Sequence, residues 1–336
     1  MSDILVSINC LTYNQENIIS DAIESFLAQK LNFNYEILIG DDCSIDNTSK
    51  VVEDYIKKYP GRIKLISSDR NVGYIKNSRR LHENSKGKYI AICDGDDFWI
   101  DPLKLQKQVD YMEKHPNCTM CFHAAKIVNY ERKLLGTSVR PSKNSKSFTS
   151  GDLAIGGGGF FPTSSLLYPK KIMDNPPSWY FDSSVGDYPL ALILSHHGYA
   201  YYIDEFMSVY RTGVIGSWTS ELLSGENITK NKIDNNKGDI EILENFNNYS
   251  DLVHMKDVDR AILIRKLYLS IYQREKEVFR ENKYKEILNS MGMKRKMKIL
   301  LLYYFPSFSL KLSFLYSTYL NLKCTILAKN AIKQIN

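Results

Sequence analysis

Between residues 4 and 115 the chain alternates short apolar, β-branched runs with longer stretches whose apolar residues recur at helical spacing. The runs at 4–10, 36–39, 63–67 and 89–93 read as strands. Between them Ile19, Ala22, Ile23, Phe26 and Leu27, and later Val51, Val52, Tyr55 and Ile56, fall on one side of a helix. Strands apolar along their length, separated by amphipathic helices, predict a parallel sheet with helices on both faces. Asp101 followed by Pro102 is a helix-start signal, with a helix expected from there to about Lys114 and Pro116 closing it.

The pattern then changes. Residues 119–215 mix strands with one clear helix after Asp187, and the glycine run 156–159 marks backbone freedom or close approach, so this part is α+β. Residues 225–238, rich in Asn and Lys, lack periodicity and read as a loop, after which helical patterns resume. Four segments follow: 1–115, 116–222, a 223–238 linker, and a helical C-terminal region 239–336. There is no internal repeat.

Charge sharpens this division. The formal net charge is +6, but residues 287–336 hold eight Lys/Arg and no Asp/Glu, leaving 36 basic and 38 acidic residues elsewhere. A near-neutral body with a cationic tail argues against a body-wide nucleic-acid groove and for contact of the tail with an anionic surface. Within 293–336 the uncharged runs are short and Pro306 interrupts them, so the expectation is a peripheral membrane contact or a helical cap, with no membrane-spanning helix. The six cysteines are scattered, and the N-terminus lacks a basic, apolar leader; both predict a reducing, cytoplasmic location. Cys118, Cys121 and His123 lack the second ligand pair of a structural zinc site, so zinc is not expected.

In open parallel sheets ligands bind beyond the carboxyl ends of the strands. Three polar clusters fall there: Thr12-Tyr13-Asn14, Asp41-Asp42-Cys43-Ser44 and Asp94-Gly95-Asp96-Asp97. Three carboxylates within four residues repel one another unless a cation or proton neutralises them. One or two such oxygens, completed by diphosphate and water, are the usual setting of Mg²⁺ or Mn²⁺. A solvated acidic loop is the plainer alternative. Asp41 stands where a carboxylate can accept hydrogen bonds from a ribose or base, whereas Asp42 and Ser44 can equally cap the helix that follows.

These clusters, with the opening Val6-Ser7-Ile8-Asn9-Cys10-Leu11, Asn71-Val72-Gly73, and Asp101-Pro102-Leu103 after the acids, resemble glycosyltransferase family 2 enzymes of the GT-A type. The dense similarity covers about the first third of the chain. It implies a Rossmann-like nucleotide-binding sheet, an α+β acceptor half and a helical extension. It implies a metal-dependent, inverting transfer of a sugar from a nucleotide diphosphate, with UDP expected, to a glycan or lipid-linked glycan in bacterial surface-polysaccharide synthesis, such as capsule or O-antigen. Thr12, Tyr13, Asn14, Asp41 and Asp94 would then bind the nucleotide, Asp94 and Asp96 the Mn²⁺ or Mg²⁺, and Arg70, Asn77 and Arg79 the donor. Asp187, in Gly186-Asp187-Tyr188, resembles the family's catalytic base at a helix start, with Asp182 in reserve; a carboxylate there also suits the helix dipole. Tyr210-Arg211 resembles the family's strand-ending pair, but Gly213 stands where a histidine is common; His196 and His197 could compensate, although adjacent histidines near a helix end more often sit at the surface in keeping with the helix dipole. Nucleotidyl transfer to a sugar phosphate is the competing chemistry, though Leu11-Thr12-Tyr13-Asn14-Gln15-Glu16 lacks the glycine-rich basic loop it calls for. A non-catalytic glycan- or nucleotide-binding module is the other alternative.

Overall fold

The computed structural model describes residues 3–214, 217, 228–275 and 277–305. Two units divide the chain: residues 1–127 with 136–211, and residues 128–135 with 212–336.

The first unit is built on strands β1 (Ile4–Thr12), β2 (Asn34–Asp41), β3 (Ile63–Ser67) and β4 (Tyr89–Ile92), joined through helices α1 (Ile19–Leu27), α2 (Thr48–Lys58) and α3 (Tyr74–Asn84). These four strands are parallel, in the order β3-β2-β1-β4. The alternation of side chains explains why they read as apolar throughout. Val6, Ile8, Cys10, Ile37 and Ile39 pack with Ile19, Ile23, Phe26 and Val52 in one cluster, while Leu11 and Leu38 pack with Leu81 in another. The chain steps outward from β1 to β2 and β3, then returns to the other side of β1 as β4. In open sheets such a reversal of strand order is where ligands bind, beyond the carboxyl ends of the strands.

The sheet continues through β5 (Phe98–Trp99), β6 (Cys118–Val128), β7 (Leu134–Val139), β8 (Lys146–Phe148), β9 (Leu167–Pro169) and β10 (Tyr199–Arg211). β9 is antiparallel to β4, and β5 and β8 are antiparallel to β10. The helices here are α4 (Lys104–Lys114), α5 (Ser150–Gly156), α6 (Trp179–Asp182) and α7 (Asp187–His196). The regular helix α4 begins three residues after the expected start. Asp101 instead caps the turn before it, its carboxylate accepting from Leu103 N at 2.8 Å and its carbonyl from Lys104 N at 3.2 Å. Lys104 itself is fully buried; its ammonium lies 3.9 Å from the Trp99 ring centroid and has no hydrogen-bond partner among the described residues.

The second unit contributes α8 (Ile228–Tyr249), α9 (Met255–Tyr272), α10 (Asn282–Asn289) and α11 (Met293–Tyr304). The expected 223–238 loop is therefore helical from Ile228. Ile242, Leu243 and Phe246 bury the later half of α8, and an Asp239–Arg265 ion pair at 2.9 Å ties it to α9. Once that half is fixed, extending the helix toward the N-terminus costs little, because Lys is a good helix former and Asn a weak one but not a breaker. Residues 306–336, most of the expected membrane-contact segment, lie outside the described residues. No described helix is long and apolar enough to cross a membrane.

Candidate active site

Thr12 and Asp41 end adjacent strands and stand side by side in the β1–β2 register. Beyond them the two loops are stitched together. Asn14, in the left-handed region at φ 52°, donates its N–H to Ser44 Oγ at 2.9 Å, and its Oδ1 accepts from Ile45 N at 2.9 Å. Thr12 Oγ1 donates to Gln15 Oε1 at 2.8 Å. Asp41 is buried; its Oδ1 accepts from Ser44 Oγ at 2.5 Å, and its other oxygen from Ser49 Oγ. Tyr13 is 44% exposed, leaving an aromatic surface just beyond the end of β1.

The acidic loop after β4 is locked to β1: Cys93 N donates to Asn9 O at 3.2 Å and Gly95 N to Leu11 O at 2.8 Å. Gly95 is required by close approach, since an added Cβ would lie 2.3 Å from Gln15 Oε1 and 2.6 Å from Ile19 Cδ1. The three acids then diverge. Asp97 is buried, and its Oδ1 accepts from Arg211 N at 2.9 Å, so it fastens the end of β10. Arg211 returns the grip, donating from Nε to Asp96 O at 2.8 Å, while its other end pairs with Asp21 at 2.5 Å. That structural role of Arg211 is not evident from the Tyr-Arg motif alone.

Asp94 and Asp96 remain for a ligand. Asp94 Oδ1 is buried with no hydrogen-bond partner among the described residues. Burial first, then the charges of Asp96 and Asp187, push the Asp94 carboxyl well above the usual carboxylate range. Burial also raises Asp96 to about 6, against the opposing pull of its own backbone N–H and of Arg211. An orphaned, charge-crowded acceptor is the environment a divalent cation relieves, and the hard oxygens of Asp94 and Asp96 suit Mn²⁺ or Mg²⁺. The described residues gather no set of three protein ligands; Asp94 and Asp96 would supply the one or two carboxylates that such a hard cation commonly takes from a protein.

Asp187 opens α7. Its Oδ2 accepts from Thr163 Oγ1 at 3.1 Å and its Oδ1 from Tyr188 N at 2.7 Å. Its charge is among those that raise the Asp94 pKa, after burial and Asp96. The glycine run is close as well: an added Cβ on Gly158 would be 3.7 Å from Asp187 Oδ1. Asp182 closes the short helix α6 and is exposed. His196 and His197 sit at the far end of the ten-residue helix α7, about 13 Å of axial rise from Asp187. Of the three expected donor contacts, Asn77 is buried and its amide donates to Gly40 O at 2.8 Å. Arg79 pairs with Glu83 at 2.7 Å and donates to the carbonyls of Met173 and Asp174. Arg70 is exposed on the loop after β3.

Residues 7–168 match the sequence profile of glycosyl transferase family 2. This segment is a family 2 glycosyltransferase domain. An uncharacterized protein of Mycobacterium tuberculosis is 32% identical over 226 residues, which are 64% of this chain and 61% of that protein. The chain therefore spans about three fifths of the length of that relative. The Escherichia coli UDP-Glc:alpha-D-GlcNAc-diphosphoundecaprenol beta-1,3-glucosyltransferase WfgD is 35% identical over 143 residues, 43% of this chain and 54% of WfgD. Among solved structures, residues 1–349 of S. aureus TarS in complex with UDP-GlcNAc align with a TM-score of 0.59 at 15% identity, over 85% of this chain and 80% of that one. That likeness is one of fold: the glycosyltransferase domain and its flanking strands have the GT-A architecture, followed by helices.

Proposed function

We propose that this chain transfers a sugar from a UDP-sugar to a hydroxyl of a glycan or lipid-linked glycan, with inversion, in the assembly of a bacterial surface polysaccharide. The observation that carries the reading is Asp94 Oδ1, buried just after β4 and unpartnered among the described residues, with the charges of Asp96 and Asp187 adding to burial in raising its pKa. Family membership and the UDP-sugar named for WfgD and TarS support the donor class.

Thr12, Tyr13, Asn14 and Asp41 line the loops where the nucleoside lies, and Tyr13 offers its ring to the base. Asp94 and Asp96 would hold Mn²⁺ or Mg²⁺, which when bound offsets the charge of the departing diphosphate. Asp187, oriented by Thr163 and the Tyr188 N–H, takes the proton of the acceptor hydroxyl as the new bond forms. A single base acting opposite the leaving group gives inversion. Asp187→Asn should keep UDP affinity in the presence of Mn²⁺ and lower transfer by roughly two to four orders of magnitude. Asp96→Ala should instead abolish the Mn²⁺-dependent part of UDP binding, read by calorimetry. Unchanged binding in that variant removes the metal assignment, and near-normal transfer by Asp187→Asn removes the base.

The same reading places the chain at a membrane surface. On α11 the side chains of Met293, Met297, Leu301 and Tyr304 are exposed at spacings of three and four, beside Lys294 and Lys298. An exposed apolar stripe flanked by cations suits the interface of an anionic bilayer.

A further inference from the structure

Tyr74 is the first residue of α3, and the backbone before it is held with unusual care. Asp42 accepts Val72 N on one carboxylate oxygen and Gly73 N on the other, both at 2.8 Å. Gly73 turns the chain at φ 84° and ψ 162°, a region open essentially to glycine. One turn further on, Asn77 bonds to Gly40 O and fixes α3 to the end of β2. Asp42 and Asn77, read from the sequence as a helix cap and a donor contact, together aim the start of this helix.

The Tyr74 ring lands on Gly186, the residue before Asp187. A Cβ at Gly186 would lie 2.5 Å from Tyr74 Cε1 and 2.9 Å from Cδ1, so the ring fills the place a side chain would take. Burial, then the charges of Asp94 and Asp187, push the phenol well above its ordinary value. Tyr74 thus belongs to both sides of the reaction: it is carried by the nucleotide-binding sheet and pressed against the turn that bears the base.

We propose that Tyr74 is a positioning residue for transfer, its ring wedged on Gly186 so as to fix the turn carrying Asp187 at the distance from Asp94 that the transferring sugar requires. This rests on the glycosyltransferase reading for its catalytic consequence, but the wedge itself can be tested without a substrate.

The test is a double-mutant cycle on the full chain. Gly186→Ala forces the ring aside, and should lower the melting temperature by about 4 °C or more, the shift expected for an overpacked contact. On a Tyr74→Ala background the new methyl enters vacated space, and the same change should cost less than about 1 °C. Equal losses in both backgrounds overturn the wedge. The second arm follows UDP release with Mn²⁺ from UDP-glucose or UDP-N-acetylglucosamine. Tyr74→Ala should lower turnover by about 10- to 100-fold, the scale of a misplaced catalytic group, with affinity for UDP within about twofold. Tyr74→Phe, which keeps the ring, should recover most of the loss. Wild-type turnover in Tyr74→Ala overturns the positioning role. A wild-type chain that neither binds UDP nor releases it refutes the donor reading instead, and leaves the melting cycle to decide the wedge.

Discussion

Lys104 is the residue whose chemistry is most at odds with its surroundings. Its ammonium is buried against Trp99, and burial lowers its pKa to about 7. The unfolded chain holds the Lys104 proton up to the ordinary lysine range, so between about pH 7 and 10 the unfolded state binds more protons and stability rises with pH. Below pH 7 both states are protonated and the full cost remains. Lys104→Met should therefore stabilise the protein, by about 2 to 4 kcal/mol at pH 6, with the advantage shrinking as pH approaches 10. Urea titrations of both proteins at several pH values would show it; a gain independent of pH would mean that packing, not charge, decides the site. The acids are different in kind. Asp94, Asp96 and Asp97 look equivalent in the sequence, but Asp97 serves Arg211 while Asp94 Oδ1 finds no partner among the described residues. Proximity of residues in sequence shows that charges crowd; only the return of β10 tells which of them is already satisfied.

At the scale of elements, the strands were readable because both sheet faces are covered, so that almost every residue of β1, β2 and β4 is apolar or bonded. The helices against the sheet were readable from their stripes. Two element boundaries were not. Asp101 forms its own turn ahead of α4, and α8 extends through a run with no periodicity because only its later half is packed. The Tyr74–Gly186 contact joins residues more than a hundred positions apart, and no local pattern announces it. Its support through Asp42 yields a direct expectation. Asp42→Ala removes two charge-assisted hydrogen bonds to the turn before α3, and should destabilise the fold by about 2 to 4 kcal/mol. Chemical denaturation gives the value, and a loss under 0.5 kcal/mol would show that water or a neighbour replaces the carboxylate.

For the whole molecule, the division of charge in the sequence has a structural counterpart in α11, where Met293 is 74% and Tyr304 65% exposed. The full-length protein should float with vesicles containing anionic lipid and remain in solution with neutral ones. Met297→Asp with Leu301→Asp should reduce the floated fraction at least several-fold while leaving UDP affinity unchanged. Flotation unaffected by the pair would assign the contact elsewhere in the chain.

The clasp of Arg211 on the acid loop carries a consequence for biosynthesis. Asp97 and its partner are separated by 114 positions, so a nascent chain that has just delivered β4 can hold the loop to β1 but lacks the Arg211 N–H that the Asp97 carboxylate accepts. Translation must reach the end of β10 before that corner can set. A polypeptide released early is thereby denied that clasp, and the loop after β4 is left without its partner strand.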